Sequence, residues 1–125
     1  MNDDDEVLSQ RDERVLRIVL NRPARHNPLS RPVLARLAAL MTEAARDDSL
    51  ACVTIRGAGD RYFAAGGDLR DLDEVREPDA TRAMALAARA ALDTFRQCPV
   101  PVVAIVNGDA IGGGAELAVA CDFRV

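Results

Sequence analysis

The stretch that decides the fold is residues 106–117, which read Val106-Asn107-Gly108-Asp109-Ala110-Ile111-Gly112-Gly113-Gly114-Ala115-Glu116-Leu117. An apolar strand leads into this stretch, and an apolar helix with a glutamate in its first turn leads out of it. Three consecutive glycines let the backbone approach a ligand closely, and the free N–H groups at a helix start favour negative charge. We therefore expect an oxyanion hole beside an acid/base group, while a close strand–helix crossing remains the structural alternative.

Strand and helix patterns alternate on the way to this stretch. Residues 7–20 predict a hairpin, Ser30 predicts the N-cap of a helix that continues to Arg46, and residues 52–55 predict a short buried strand. A second helix at 79–97 precedes a strand at 102–106, and a further strand begins at 122. The apolar positions expected to face the core are Val33, Leu34, Leu37, Leu40, Met41 and Ala44 in the first helix, and Met84, Ala88, Ala91, Leu92 and Phe95 in the second. The pattern predicts an α/β fold built from right-handed parallel units.

A second glycine-containing loop follows the strand at 52–55. Residues 63–69 read Phe-Ala-Ala-Gly-Gly-Asp-Leu, and they precede a helix start as the later glycines do. In an open parallel sheet, ligands bind beyond the carboxyl ends of the strands, so both loops are expected to face one ligand. A tight turn is the alternative for this loop, and Asp68 is more typical of an N-cap than of direct chemistry.

Glu116 is the candidate acid/base of the later loop. Leu117, Ala118, Val119 and Ala120 follow it, so the helix is expected to be buried on most sides, and desolvation would then raise the pKa of the Glu116 carboxyl. The alternative is that a first-turn glutamate simply interacts favourably with the helix dipole.

Composition excludes several classes of function. The chain has 125 residues, enough for one domain, and a net charge of -4, which does not favour nucleic acid or anionic membranes as partners. All its basic residues are arginine, so Schiff-base lysines and P-loop lysines are excluded. The cysteines lie far apart and His26 is the single histidine, which predicts neither a metal site nor a disulfide framework. No export signal or membrane span is evident, and we expect a cytoplasmic protein.

Three segments in order resemble the crotonase, or enoyl-CoA hydratase/isomerase, superfamily. They are Leu20-Asn21-Arg22-Pro23 with Asn27-Pro28-Leu29, then Phe63 to Leu69, and then Pro101 through Glu116-Leu117 to Cys121-Asp122. The resemblance implies a crotonase-like (ClpP/crotonase) spiral fold of repeated ββα units, truncated at the C-terminal side. Residues 1–125 are then a single incomplete domain, in which the acidic start at residues 1–6 is expected to be disordered.

The resemblance also implies a function and a site. The family binds acyl-CoA thioesters and stabilises an enolate oxyanion with two backbone N–H groups, which match those of Gly67 and Gly113. Glu116 matches the family's acid/base glutamate. The acyl-CoA site is expected to comprise Ala65, Gly66, Gly67, Asp68, Leu69 and Gly113, and Arg25 is expected near the CoA phosphates. No cofactor is expected, coenzyme A enters as part of the substrate, and the complete family fold implies a homotrimer or hexamer.

The chain departs from the family pattern in two ways. A second family glutamate corresponds to a position beyond Val125, and Gly67 stands where family members often carry alanine. We therefore expect a lyase that hydrates 2-enoyl-CoA in its complete form, with isomerisation or decarboxylation as the other reactions open to the same oxyanion hole. The alternative from a different class is a non-catalytic fragment that binds CoA weakly or serves as an interaction subunit.

Overall fold

The structure is a computed structural model that describes residues 5–67 and 77–125. Its elements alternate in a simple order: β1 (Val7–Asp12), β2 (Val15–Leu20), a 3-10 turn (Pro23–Arg25), α1 (Arg31–Ala45), β3 (Cys52–Gly57), β4 (Tyr62–Ala64), α2 (Pro78–Arg96), β5 (Val102–Ile105), β6 (Asp109–Ala110), α3 (Gly113–Ala120) and β7 (Phe123–Arg124). Two strands precede each of these helices. The expected repetition of ββα units is therefore confirmed.

The main sheet has five strands in the order β1-β2-β3-β5-β7. β1 pairs antiparallel with β2, which confirms the predicted hairpin, and the other neighbours in this sheet are parallel. In the β2–β3 pair Leu20 lies opposite Gly57, so both strands end at the same edge of the sheet. The segments that follow β3 and β5 therefore start from the carboxyl edge of this sheet, as expected for an α/β fold.

Helix α1 begins as the sequence predicts. The Ser30 hydroxyl oxygen accepts a hydrogen bond from the Val33 N–H at 3.3 Å, which satisfies one of the donors that a helix start leaves free. All six apolar positions predicted for this helix are buried. Fully burying side chains of this size contributes about 1.5–3 kcal/mol each, so this stripe is a principal source of core stability.

Helix α2 differs from its prediction along its length. Ala91, Leu92 and Phe95 are buried, as expected, whereas Met84 and Ala88 in the preceding turns are half-buried. α2 packs against α1 and α3. Met84 and Ala88 line a cavity, and Ala88 also packs against the edge of the core. The N-terminal part of the apolar stripe therefore belongs to a site.

The hairpin is tied to the end of α1 by a polar cluster. Arg11 Nη1 lies 2.6 Å from Asp47 Oδ2, and the Ser49 hydroxyl and N–H donate to Asp47 Oδ1 at 2.6 and 3.0 Å. The Ser49 hydroxyl, followed by the Arg11 guanidinium, lowers the pKa of the Asp47 carboxyl to about 2. The charged form of Asp47 is thus the form that this cluster binds.

The acidic start is described from Asp5 onward. The Glu6 carbonyl accepts a hydrogen bond from the Asn21 N–H at 2.7 Å, and the Glu6 carboxylate accepts one from the Ser30 hydroxyl at 3.2 Å. Glu6 was expected to be disordered, but in the structure it is held by these two hydrogen bonds, one to the residue that follows β2 and one to the N-cap of α1. Among the helices in the described ranges, none combines the length and apolar character needed to cross a membrane.

Candidate functional site

A second sheet joins the two glycine-containing loops. β4, which precedes Gly66, pairs in parallel with β6, which precedes Gly112. The Ala64 carbonyl accepts a hydrogen bond from the Ile111 N–H at 3.0 Å, and the Arg61 carbonyl accepts one from the Asp109 N–H at 3.0 Å. The main chain itself therefore brings the two loops together. Both strands lie in segments that the sequence analysis treated as loops.

Steric contact explains two of the glycines in this region. Gly66 has a φ of +92°, and a Cβ built there would lie 2.9 Å from the Ile111 carbonyl oxygen and 3.0 Å from the Gly113 nitrogen. A Cβ at Gly114 would overlap the Ala64 carbonyl oxygen. These glycines permit the close approach of the two loops, since any larger residue would push them apart. The structural reading of the glycines is thus correct for Gly66 and Gly114.

Two main-chain N–H groups of these loops are candidates for binding a ligand. Gly113 is the first residue of α3, after a Gly112 with a φ of +55°, so its N–H has no carbonyl partner one turn earlier in the helix. Within residues 5–67 and 77–125, neither the Gly67 N–H nor the Gly113 N–H donates a hydrogen bond to another group of the protein. Gly66 packs directly against Gly113, which holds the two segments side by side.

Both of these glycines line one small apolar cavity. Its volume is about 110 Å³, and its described lining consists of Leu29, Leu34, Gly67, Met84, Ala88, Leu92, Gly113 and Glu116. The three residues predicted to be catalytic therefore lie around a single space. The other lining residues are apolar and come from α1, α2 and the segment before α1, so the cavity can hold a short hydrocarbon chain beside two N–H donors.

Glu116 lies at this cavity but is not buried, so the expected burial of its helix on most sides is wrong. The buried residues of α3 are Gly114, Leu117, Ala118 and Ala120, and the opposite face carries Glu116 and Val119, of which Val119 is 70% exposed. Most residues of α3 are apolar, which is why the sequence predicted burial on most sides. In the structure, however, only one face of this short helix contacts the rest of the described chain. The Glu116 side chain is therefore exposed at the edge of the cavity.

The remaining predicted site residues differ in their placement. Ala65 is half-buried and Gly66 buried, and both lie in the segment between β4 and Gly67. Arg25 is exposed in the 3-10 turn and is not among the residues that line the cavity. Asp68 and Leu69, which were also predicted to contact the substrate, lie outside the described residues.

Two asparagine amides support this site, and sequence reasoning missed them. Asn27, which is 1% exposed, accepts a hydrogen bond from the Arg22 N–H at 2.9 Å and donates to the carbonyls of Ala58 and Tyr62 at 3.1 and 3.0 Å. Asn107 accepts from the Gly57 N–H at 3.0 Å and also donates to the Tyr62 carbonyl. The two amides connect the loop before α1, the loop after β3 and the loop after β5. The motif Asn27-Pro28-Leu29 was the available signal for the first of them.

His26 has a structural contact and no place in the cavity. Its ring stacks on that of Tyr62 with the centroids 4.1 Å apart and the planes inclined by 19°. In the described ranges, no group of three or more His, Cys, Asp or Glu residues is placed to hold a metal ion. Burial raises the pKa of the Cys121 thiol to about 12, and burial followed by the nearby Cys98 raises that of Cys52. None of these groups lines the cavity between the glycines.

Comparison with known proteins gives consistent results. The family model described as enoyl-CoA hydratase/isomerase matches residues 10–125. The chain is 38% identical over 120 residues to the 2,3-dehydroadipyl-CoA hydratase of Escherichia coli (strain K12), covering 96% of this chain and 46% of that protein. It is 31% identical over 119 residues to the crotonyl-CoA hydratase of Syntrophomonas wolfei subsp. wolfei, covering 95% of this chain and 45% of that protein.

A solved structure agrees with these relatives. An enoyl-CoA hydratase/carnithine racemase from Magnetospirillum magneticum superposes with a TM-score of 0.91 at 40% identity, covering 96% of this chain and 45% of that one. The chain thus spans a little under half the length of the relatives it matches.

Proposed function

Because the chain belongs to the enoyl-CoA hydratase/isomerase family, we propose that its cavity binds the acyl portion of an acyl-CoA thioester and stabilises the enolate formed from it. The observation that carries the proposal is the meeting of the Gly67 and Gly113 segments with Glu116 around one apolar cavity of about 110 Å³. The thioester oxygen accepts hydrogen bonds from the two glycine N–H groups. Coenzyme A is part of the substrate, and the proposal needs no further cofactor.

The proposed reaction is the addition of water across the double bond of a 2-enoyl-CoA, a lyase activity. The water oxygen bonds to C3 while a carboxylate takes one of the water's protons, and the π electrons of the double bond move toward the thioester oxygen. C2 then takes a proton as those electrons return to form the new C–H bond. The negative charge develops on the thioester oxygen, where two fixed N–H donors stabilise it most in the transition state. Isomerisation of the double bond and decarboxylation also pass through a thioester enolate, so the same oxyanion hole supports all three reactions with different acid/base groups.

Glu116 is the proposed acid/base group of this reaction. It lines the cavity that contains the two glycines, which supports a role in moving a proton near C2 and C3. Because Glu116 is exposed without ligand, the bound acyl chain is proposed to shield its carboxylate from water. The family resemblance adds a second glutamate beyond Val125, and we propose that hydration requires both.

Calorimetric titration of the 125-residue chain with crotonyl-CoA tests the binding part of the proposal. Crotonyl-CoA is expected to bind more tightly than coenzyme A alone, because only the thioester places an oxygen at the glycine N–H groups. Equal affinity for the two compounds would contradict the proposed site. The homotrimer or hexamer implied by the family remains an expectation that sedimentation velocity can measure.

Turnover distinguishes the enzyme from a non-catalytic fragment that binds CoA weakly or serves as an interaction subunit. Hydration of crotonyl-CoA by residues 1–125 alone is expected to be near zero, because the second acid/base of the proposed mechanism lies outside these residues. In a version joined to a family C-terminal half, Glu116→Gln should reduce turnover strongly and leave acyl-CoA binding nearly intact. Unchanged turnover in that variant would remove Glu116 from the mechanism.

A further inference from the structure

A second and larger space opens next to the glycine cavity. This cleft has a volume of about 520 Å³ and is lined by Ala85, Ala88, Arg89, Leu92, Arg96 and Glu116. Ala88, Leu92 and Glu116 line both spaces, so the cleft continues the cavity along the surface of α2. An acyl chain whose thioester lies at Gly67 and Gly113 and which runs along Ala88 and Leu92 therefore ends in this cleft.

The charges of this cleft come from α2 and from Glu116. Arg89 and Arg96 are separated by seven residues, which places them two helical turns apart on the same side of α2. Arg96 Nη1 contacts Asp93 Oδ1 at 2.9 Å, so its charge is partly compensated. Within the described ranges, Arg89 takes part in no hydrogen bond or ion pair. Arg89 therefore offers the cleft a guanidinium that has no partner among the described residues, beyond the apolar path.

We infer that this cleft binds a carboxylate at the far end of the acyl chain, so that the preferred substrates are short 2-enoyl-CoA thioesters bearing a terminal acid group. This inference rests on the proposed acyl-CoA function and specifies its substrate class. A terminal methyl group gains only the apolar contacts of Ala85, Ala88 and Leu92. A terminal carboxylate gains those contacts along its chain and also charge-assisted hydrogen bonds from Arg89, a geometry that the planar guanidinium favours.

Titration calorimetry with two matched ligands tests the inference on the 125-residue chain. The ligands are trans-2-hexenoyl-CoA and the six-carbon trans-2-enoyl-CoA that carries a terminal carboxylate, which share the coenzyme and the chain length. The carboxylated ligand should bind about tenfold more tightly, at the lower end of the contribution of a charge-assisted hydrogen bond because Arg89 is exposed. Arg89→Gln should abolish this preference, so that the variant binds the two ligands with equal affinity.

Arg82→Gln is the matched control, because Arg82 is exposed on the same helix, lies seven residues before Arg89 and does not line the cleft. It should keep the tenfold preference. Equal affinity for the two ligands in the unmodified chain would overturn the inference and leave the acyl-CoA proposal standing. Equal loss of preference in the Arg82 and Arg89 variants would also overturn it, since the effect would then be one of general charge. If neither thioester binds, both proposals fail.

Discussion

Replacing Gly113 with proline removes one of the two proposed N–H donors without removing any side chain. Gly113 is the first residue of α3, where the helix gives its N–H no partner and where proline is well tolerated. The preceding residue is Gly112, which has no Cβ to clash with a proline ring. The variant is therefore expected to keep the helix start and to lose the hydrogen bond to the ligand, and its ring Cδ, which takes the place of the amide hydrogen, also crowds the ligand oxygen.

Gly113→Pro is expected to weaken binding of the substrate less than it slows the reaction. A neutral hydrogen bond to the bound thioester oxygen contributes about 1 kcal/mol, so Gly113→Pro should bind crotonyl-CoA at least about fivefold more weakly. The developing oxyanion interacts more strongly, and losing one such donor costs about 2.7–4 kcal/mol of transition-state stabilisation. Turnover by a version joined to a family C-terminal half should therefore fall by about a hundredfold or more.

Gly113→Ala is the control that keeps the N–H group. A Cβ built at Gly113 meets its nearest atoms, Gly66 Cα and Leu29 Cδ1, at 3.5 and 3.6 Å, which are ordinary contact distances. Titration calorimetry gives the affinities, and the infrared carbonyl stretch of the bound thioester reports whether its oxygen accepts a hydrogen bond. The reasoning is refuted if Gly113→Pro binds crotonyl-CoA as tightly as Gly113→Ala and leaves the carbonyl stretch unchanged.

Three further predictions concern stability and reactivity. Asn27→Ala leaves the Arg22 N–H and the Ala58 carbonyl without this partner and removes one of the two amides that donate to the Tyr62 carbonyl, so it should lower the free energy of unfolding by about 2 kcal/mol; a loss below about 1 kcal/mol in urea denaturation would contradict the supporting role of this amide. Asp47→Asn should destabilise the chain near neutral pH, and because the folded-state pKa of Asp47 is lowered from 3.8 to about 2, the difference from the parent should shrink as the pH falls from about 4 through 2. A difference that does not change with pH would count against the Arg11, Ser49 and Asp47 cluster. Cys121, whose thiol pKa is raised to about 12 by burial, should be alkylated by iodoacetamide at pH 8 only after unfolding, whereas mass spectrometry showing labelling at the rate of the half-buried Cys98 would contradict its burial.

Much of the main sheet and its helices could be predicted because local and long-range preferences agree there. In α1, the Ser30 cap, the proline that follows it and six apolar residues at helical spacing all indicate the same helix, and the core buries the same six residues. The hairpin and the parallel pairing of β2 with β3 follow from short apolar runs separated by turns and a helix. Each of these patterns is complete within a short stretch of sequence.

The parts that escaped prediction depend on contacts between distant segments. β4 and β6 have three and two residues, too few for a period, and each forms only because the other lies beside it. The exposure of Glu116 depends on which neighbours α3 has, and helix composition carries no information about neighbours. Asn27 is polar and lies in a loop, so its burial follows only from the way its own loop and the segment from Ala58 to Tyr62 close around its amide.

The glycines of this site differ in their roles, since Gly66 and Gly114 permit close packing whereas Gly113 supplies a proposed N–H donor. This difference determines which positions can change during evolution. Every amino acid except proline supplies a backbone N–H, so the donor at position 113 survives substitution by a small residue, which has room there. Gly66 and Gly114 have no such room. In a saturation mutagenesis scan that selects for folded protein, we accordingly expect small residues to be tolerated at position 113 and only glycine at positions 66 and 114. Substitutions at Met84 and Ala88, which line the cavity, should be tolerated more widely. New substrate preferences can therefore arise around an unchanged pair of main-chain donors.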